Sequence, residues 1–380
     1  MKAPDRPAAA PATVRRPLPA KSWLAAAGIV LFALAIRLWH IDLAPFDADQ
    51  TAIFQSAANA LAQHRLPLYS GTPLTIGVRP PPLRPLLFML PLAISRSPAL
   101  LAGFQAAFDA VAAGLVFLTA NELAGTFTAS CAGLLYAVTP AAVIYSRKVL
   151  NAGMVPFFCA LTLWGVIGFV RKGDSRRLGV ALFATLCAVQ DHFSAVVLLV
   201  VVAAAAAVRW RDVRWPPLAA ATGATVLLLA PWLYLQAQLH WTDLTALTRF
   251  SSGSKHVNAE ALPLAAFLAG GGFRKLLNVE FQLYLLKPIE SLLGRQPLLW
   301  ITLALLLLGI TLVLIRRTAG WLLILAASLP IVAAIASGQY VQPHYLLAAL
   351  PPLIVLSGIG LAALRPRPLA IAFLAGIVIW

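Results

Sequence analysis

Two carboxylates two residues apart, Asp47 and Asp49, stand just before a run with helical apolar spacing, and Asp42 lies upstream. At a helix entrance such a pair can share a divalent cation, or one member can act as a general base while the other tunes it. The same position also suits ordinary capping, with Asp49 as N-cap of a helix starting at Gln50. Arginines follow at Arg65, Arg79 and Arg84, the last two flanking Pro80-Pro81-Pro82. A guanidinium can hold a phosphate by two parallel hydrogen bonds, or it can snorkel toward headgroups. Arg147 and Lys148 interrupt an apolar pair of segments and offer phosphate contact or plain interface anchoring. Gln190-Asp191-His192 break another apolar stretch, and His344-Tyr345 open a third. Such groups are costly against lipid, so they are expected to line a wet cavity, with helix capping by Asp191 and an aromatic belt at Tyr345 as alternatives.

The elements that must position these residues are helices in a bilayer. Of 380 residues, 61% are hydrophobic and only 11% charged. At roughly 20 residues per span, that leaves room for about eleven transmembrane helices. A soluble enzyme, a disordered chain and a disulfide scaffold are excluded. Apolar runs at 22–40, 99–120, 127–145, 152–170, 178–190, 193–209, 217–235, 297–315, 319–337, 345–363 and from 368 onward are the expected spans. Their apolarity is unbroken, as around 198–207, without the period-2 alternation of barrel strands.

The net charge of +16 resembles a nucleic-acid signature until the charges are placed. Basic clusters fall at Arg171, Lys172, Arg176 and Arg177; at Arg209, Arg211 and Arg214; at Arg316 and Arg317; and at Arg365 and Arg367. With the basic N-terminal residues, all lie on one side if the first helix starts in the cytoplasm. Most of the charge is therefore topogenic, and no single solvated basic face exists to bind nucleic acid. The expectation is a multi-pass protein of the cell inner membrane, N-terminus cytoplasmic, with a disordered Pro/Ala-rich tail over 1–21 and one transmembrane domain over 22–380.

Two outer links are long, 41–98 and 236–296, and the chemistry is expected there. Within the first, 50–64 places Ile53, Ala57, Ala60 and Leu61 on one face, and 83–95 is apolar but too short to cross; both read as interfacial helices. The second carries Lys255, His256, Arg274, Lys275, Lys287 and Arg295, with Gly270-Gly271-Gly272 as a hinge that could close over a ligand. Asp109 lies within the second span, where a lone carboxylate needs a partner, and Arg37 is the one basic residue inside a span. Cys131, Cys159 and Cys187 sit in spans, too few and too buried for a disulfide framework or a thiolate metal site. The histidines show no zinc-ligand spacing. The closing AIAFLAGIVIW is short for a crossing, as expected of a fragment or truncated chain.

An ordered series of segments resembles a known family. A first helix, D-x-D-Q opening an amphipathic stretch, HRLPLYSG and a PPL segment are followed by YSRKVLNAGMVPFF (145–158), AVQDHFSAVVLL (188–199), PWLYL (231–235) and QPHYLLAALPPLIVL (342–356). Over residues 22–363 this is similar to the GT-C superfamily of integral-membrane glycosyltransferases, in the family 39 group of protein O-mannosyltransferases and aminoarabinose transferases. The resemblance implies an all-α GT-C-like fold and a polyprenyl-phosphate sugar as donor, on the outer face. The acceptor would be a lipid, glycan or protein. It maps the family's catalytic acid onto Asp49, while the common companion Glu is Gln50 here, with Asp47 as a substitute. Arg79, Arg84, Arg147 and Lys148 become donor-phosphate ligands, and Asn151, Gln190, His192, His344 and Tyr345 line the cavity. The one cofactor the spacing allows is a divalent cation on Asp47 and Asp49. The rivals are a secondary transporter or lipid-sugar flippase, suggested by Asp109 and the break at 190–192, and an inactive relative, suggested by Gln50.

Overall fold

A computed structural model describes residues 20–44, 46–71, 73, 77–246, 260–271, 297–337 and 341–379. Every regular element among them is helical. The chain runs through α1 (Ala20–Leu38), α2 (Ala48–Ala62), α3 (Leu83–Leu92), α4 (Pro98–Ala124), α5 (Thr126–Val138), α6 (Pro140–Arg147), α7 (Val155–Lys172) and α8 (Ser175–Asp191). It continues through α9 (Leu198–Val208), α10 (Trp215–Gln238), α11 (Ala261–Gly270), α12 (Pro297–Arg316), α13 (Trp321–Ser337), α14 (Leu350–Ala363) and α15 (Arg367–Ile379).

Local chemistry sets the boundaries. Ser97 caps α4 by accepting from the Leu100 N–H at 3.4 Å, Pro98 occupies the first turn, and Gly125 ends the helix at a φ of 82°. Thr139-Pro140 separates α5 from α6, which are bent by 51°. Proline lacks the N–H that would continue the ladder, so one predicted span becomes a broken one. Gly173 closes α7 at a φ of 66°, and Asp174 caps α8. Short 3-10 turns at Phe193–Val197 and Pro343–Ala349 lead into α9 and α14.

All eleven predicted runs are helical, but they are not eleven full spans. Six helices among the described residues are long and apolar enough to cross a membrane, and the bent pair makes a seventh. The others are shorter. α1 begins at Ala20, inside the segment assigned to the tail, and residues 1–19 lie outside the described residues. The two interfacial helices of the first long link are present as α2 and α3.

The core is centred on α4 and α14. The segment Pro343–Ala363 is 94% buried, against 17% for α10, which lies at the edge. Small residues let backbones approach: a Cβ at Gly309 would fall 1.9 Å from the Leu356 carbonyl oxygen, and one at Gly360 the same distance from that of Leu305. Lipid supplies no hydrophobic drive between helices, so such close crossings carry much of the association.

The basic clusters at 171–177 and 209–214 meet at one end of the bundle. Glu122 accepts from Lys172 at 2.6 Å and Arg177 at 3.1 Å, Arg177 stacks on Trp164 at 4.2 Å, and Arg209 reaches Asp212 at 2.6 Å. Asp191 and His192 lie at the opposite end of α8.

Candidate active site

The first element of the site is α2. Asp47, rather than Asp49, is its cap: its Oδ1 accepts from the N–H groups of Asp49 at 3.1 Å and Gln50 at 3.3 Å. The N-terminal position wins because an N-cap carboxylate reaches the donors two and three residues ahead of it. Asp49, in the first turn, is exposed and projects beside the helix entrance. Gln50, Ile53, Ala57 and Ala60 form the buried face, as the apolar spacing predicts.

Gln50 ties α2 to the next element. Its Oε1 accepts from the Val149 N–H at 3.4 Å, so the residues beside Asp49 touch the residues beside Lys148. The connection from Lys148 to Met154 is clamped from three sides. Gln105 of α4 donates through Nε2 to the carbonyls of Tyr145 and Ser146, each at 3.2 Å, and to that of Lys148. Gln105 Oε1 accepts from Arg84 Nη1 at 2.9 Å, and Arg84 Nε donates to Asp191 Oδ1 at 3.0 Å. Asp191 Oδ2 then accepts from the Met154 N–H at 3.0 Å. Gly153 is required where Gln105 crosses, because a Cβ there would fall 2.6 Å from its amide nitrogen.

This network corrects the assignment of Arg84. A phosphate ligand must present its guanidinium to an open cavity, whereas Arg84 is 1% exposed and spends its donors on Asp191 and Gln105. The pair holds α3, α4, α8 and the 148–154 connection together. Asp191 does not cap the turn that follows it but meets the backbone N–H groups at the start of α7; His192 caps the following 3-10 turn, its Nδ1 accepting from the Ser194 N–H at 3.3 Å.

Past that turn the rings converge. His192 lies 5.8 Å from His344 and 5.1 Å from Tyr345, and His344 packs edge-on against Tyr345 at 4.6 Å. All three are half-buried. Burial, then the His344 ring and the Arg84 charge, push the His192 imidazole down, to about 3. Lys148 is buried, stacks over Tyr145 at 5.8 Å and bears electrostatically on His344. Beside them Gln190 is buried with both amide atoms lacking a hydrogen-bond partner, and Asn151 is half-buried.

The remaining candidates lie around this core. Arg147 Nε donates to the Arg37 carbonyl at 2.9 Å, the far end of α1, and feels the Asp42 carboxylate. Asp109 has the partner its position demanded: Arg37 at 2.7 Å, with the Tyr136 hydroxyl donating at 2.6 Å. Arg79 is 30% exposed and bonded to Asp243 at 2.7 Å, which also accepts from Gln236 at 2.7 Å. Gln105 and Asp243 went unnoticed in the sequence. Gln105 carried a signal, lying one helical turn before Asp109 on an otherwise apolar helix. Asp243 carried none.

The second long link differs from expectation. It contains α11, whose Leu264, Phe267 and Leu268 are buried, and Gly270 ends that helix. Lys255, His256, Gly272, Arg274, Lys275, Lys287 and Arg295 lie outside the described residues. The three cysteines are free and buried. No group of three or more His, Cys, Asp or Glu that could hold a metal ion exists among the described residues. Oδ1 of Asp47 is taken by two N–H groups, so a cation shared with Asp49 would use Oδ2 of Asp47 and the Asp49 carboxylate.

No family model matches the sequence, and no curated protein matches it. Solved structures do match in shape. The crystal structure of ArnT from Cupriavidus metallidurans bound to undecaprenyl phosphate aligns over 92% of this chain, with a TM-score of 0.61 and 14% identity. The apo crystal structure of the same protein aligns over 92% with a TM-score of 0.60 and 14% identity. The chain spans 61% of the length of that ArnT chain. At this identity the likeness is one of fold: the all-α, polytopic membrane architecture of that ArnT structure.

Proposed function

We propose that the protein transfers a sugar from a polyprenyl-phosphate donor to an acceptor hydroxyl or amine at the membrane surface. The observation that carries this reading is the meeting of four sequence-distant polar segments at one end of the bundle. The α2 entrance, the 148–154 connection and the 190–192 break are joined through Gln50, Gln105, Arg84 and Asp191, and the 344–345 pair packs on His192. An exposed carboxylate, buried and half-buried cations, and an aromatic-imidazole wall are the parts such a transfer needs. The fold supports it too, since the ArnT structure of the same shape holds a polyprenyl phosphate.

Asp49 accepts the acceptor's proton as its oxygen or nitrogen attacks the anomeric carbon. The bond from that carbon to the phosphate oxygen breaks, and polyprenyl phosphate leaves with the electron pair. One displacement inverts the sugar carbon. Arg147 and Lys148 stabilise the negative charge gathering on the phosphate, with Arg79 at the rim. Arg84 serves by positioning the 148–154 connection. Asn151, Gln190, His192, His344 and Tyr345 line the sugar's side, where the unpartnered Gln190 amide suits a hydroxyl. Asp47 orients α2, and no step is routed through a divalent cation.

The topology belongs to the same reading: a multi-pass protein of the inner membrane, N-terminus cytoplasmic, the site on the outer face. The basic clusters gathered at the opposite end of the bundle support it. A transporter gains no support, since Asp109 and Asp191, which suggested it, are each committed to an arginine.

Purified protein in lipid, offered a panel of polyprenyl-phosphate sugars and mixed acceptors, should release polyprenyl phosphate from at least one donor. Failure to transfer or hydrolyse any of them would remove the enzymatic reading.

A further inference from the structure

At the end of the bundle away from the candidate site, α8 and α10 start side by side. Ser175 Oγ accepts from the Arg214 N–H at 2.9 Å and donates to the Arg214 carbonyl at 3.1 Å, pinning the two starts together. Below this clasp a groove of about 310 Å³ opens between the helices, lined by Gly179, Val180 and Phe183 on one side and Pro217, Ala221 and Ala224 on the other, with Arg176 at its mouth. Arg214 heads the Pro217 and Ala221 face by helical spacing, as Arg176 heads that of Gly179, Val180 and Phe183. The floor is backbone, since a Cβ on Gly179 would meet the Pro217 carbonyl oxygen at 2.7 Å.

We propose that this groove holds one acyl chain of an anionic glycerophospholipid whose phosphate rests between Arg176 and Arg214. Three observations fix the occupant. The walls are apolar except at one end. At that end Arg176 and Arg214 are exposed, while the nearby acids are engaged: Glu122 by Lys172 and Arg177, Asp212 by Arg209, and Asp174 as the cap of α8. The exposed indoles of Trp210 and Trp215, 67% and 77% accessible, set the mouth at headgroup depth. An acidic protein would find arginines but no use for a greasy slot running into the bilayer. A zwitterionic lipid would fill the slot but forgo the arginines.

The test is native mass spectrometry of the full chain released from nanodiscs containing equal phosphatidylglycerol and phosphatidylcholine. Wild type should retain one phosphatidylglycerol in preference. Arg176→Gln with Arg214→Gln should cut that retention roughly tenfold. Ala224→Phe, which blocks the groove and leaves every charge in place, should cut it as much; Ala220→Phe at the exposed rim does the same work if Ala224→Phe does not fold. Arg171→Gln with Arg211→Gln removes equal charge away from the mouth and should change retention by less than about twofold. Excess inorganic phosphate should not displace the lipid. Equal retention of both lipids, indifference to the groove-filling variants, equal loss in the remote arginine pair, or displacement by phosphate would each overturn the proposal.

Discussion

At the scale of single residues, the site is organised by charges that are paired and by one that is left open. Asp191 and Arg84 are both buried, and each neutralises a charge that would otherwise stand in a low-dielectric interior. Removing one partner strands the other, so Asp191→Ala should lower stability by about 3–5 kcal/mol, read as a lower melting midpoint in detergent. An unchanged midpoint would show that the pair does not support the fold. His192 gives a second residue-scale prediction. Its folded-state value near 3 lies below the ordinary 6.5, so the unfolded chain binds the proton more readily. This contribution is complete above about pH 6.5 and is lost as pH falls from there toward 3. Between pH 7 and 5 the melting midpoint should fall less in His192→Gln than in wild type. Parallel curves would count against it. Residue identity was partly legible in the sequence. Asp109 had to find a cation, and Arg37 was the sole one within a span. The partner of Arg84 is 107 positions away, and no local pattern announces such a pair.

At the scale of elements, apolar run length located every helix among the described residues that is long and apolar enough to cross a membrane, and helical spacing located α2. The sequence missed what interrupts them. The bend at Thr139-Pro140 and the 3-10 turns before α9 and α14 arise where the backbone must turn without water, and hydropathy is blind to that. α11 was hidden because its ten residues run into glycines, which read as a hinge. Cap identity turned on two residues of register: Asp47 takes the donors, which leaves the Asp49 carboxylate exposed. The close crossing of α12 and α14 yields a prediction at this scale. Gly309→Val places methyl groups where the α14 backbone already lies and should lower thermal stability by more than about 3 kcal/mol, as overpacking against backbone does. Gly223→Val, with open space around it, provides the control. Equal effects would mean that the crossing is looser than its geometry implies.

At the scale of the whole molecule, hydropathy and charge placement specify a polytopic helical protein with basic clusters gathered at one end. The structure puts the polar network at the other end. The proposed surface glycosyl transfer fits that separation, with a lipid-linked donor entering from the bilayer and an acceptor from water. The central claim is that Asp49 is the base, and it is tested by comparing Asp49→Asn with Asp47→Asn in a transfer assay on the responsive polyprenyl-phosphate sugar. Asparagine caps a helix about as well as aspartate, so Asp47→Asn should keep activity within a few-fold. Asp49→Asn should lose at least about a hundredfold, the lower range for a general base. A fully active Asp49→Asn enzyme would contradict the account.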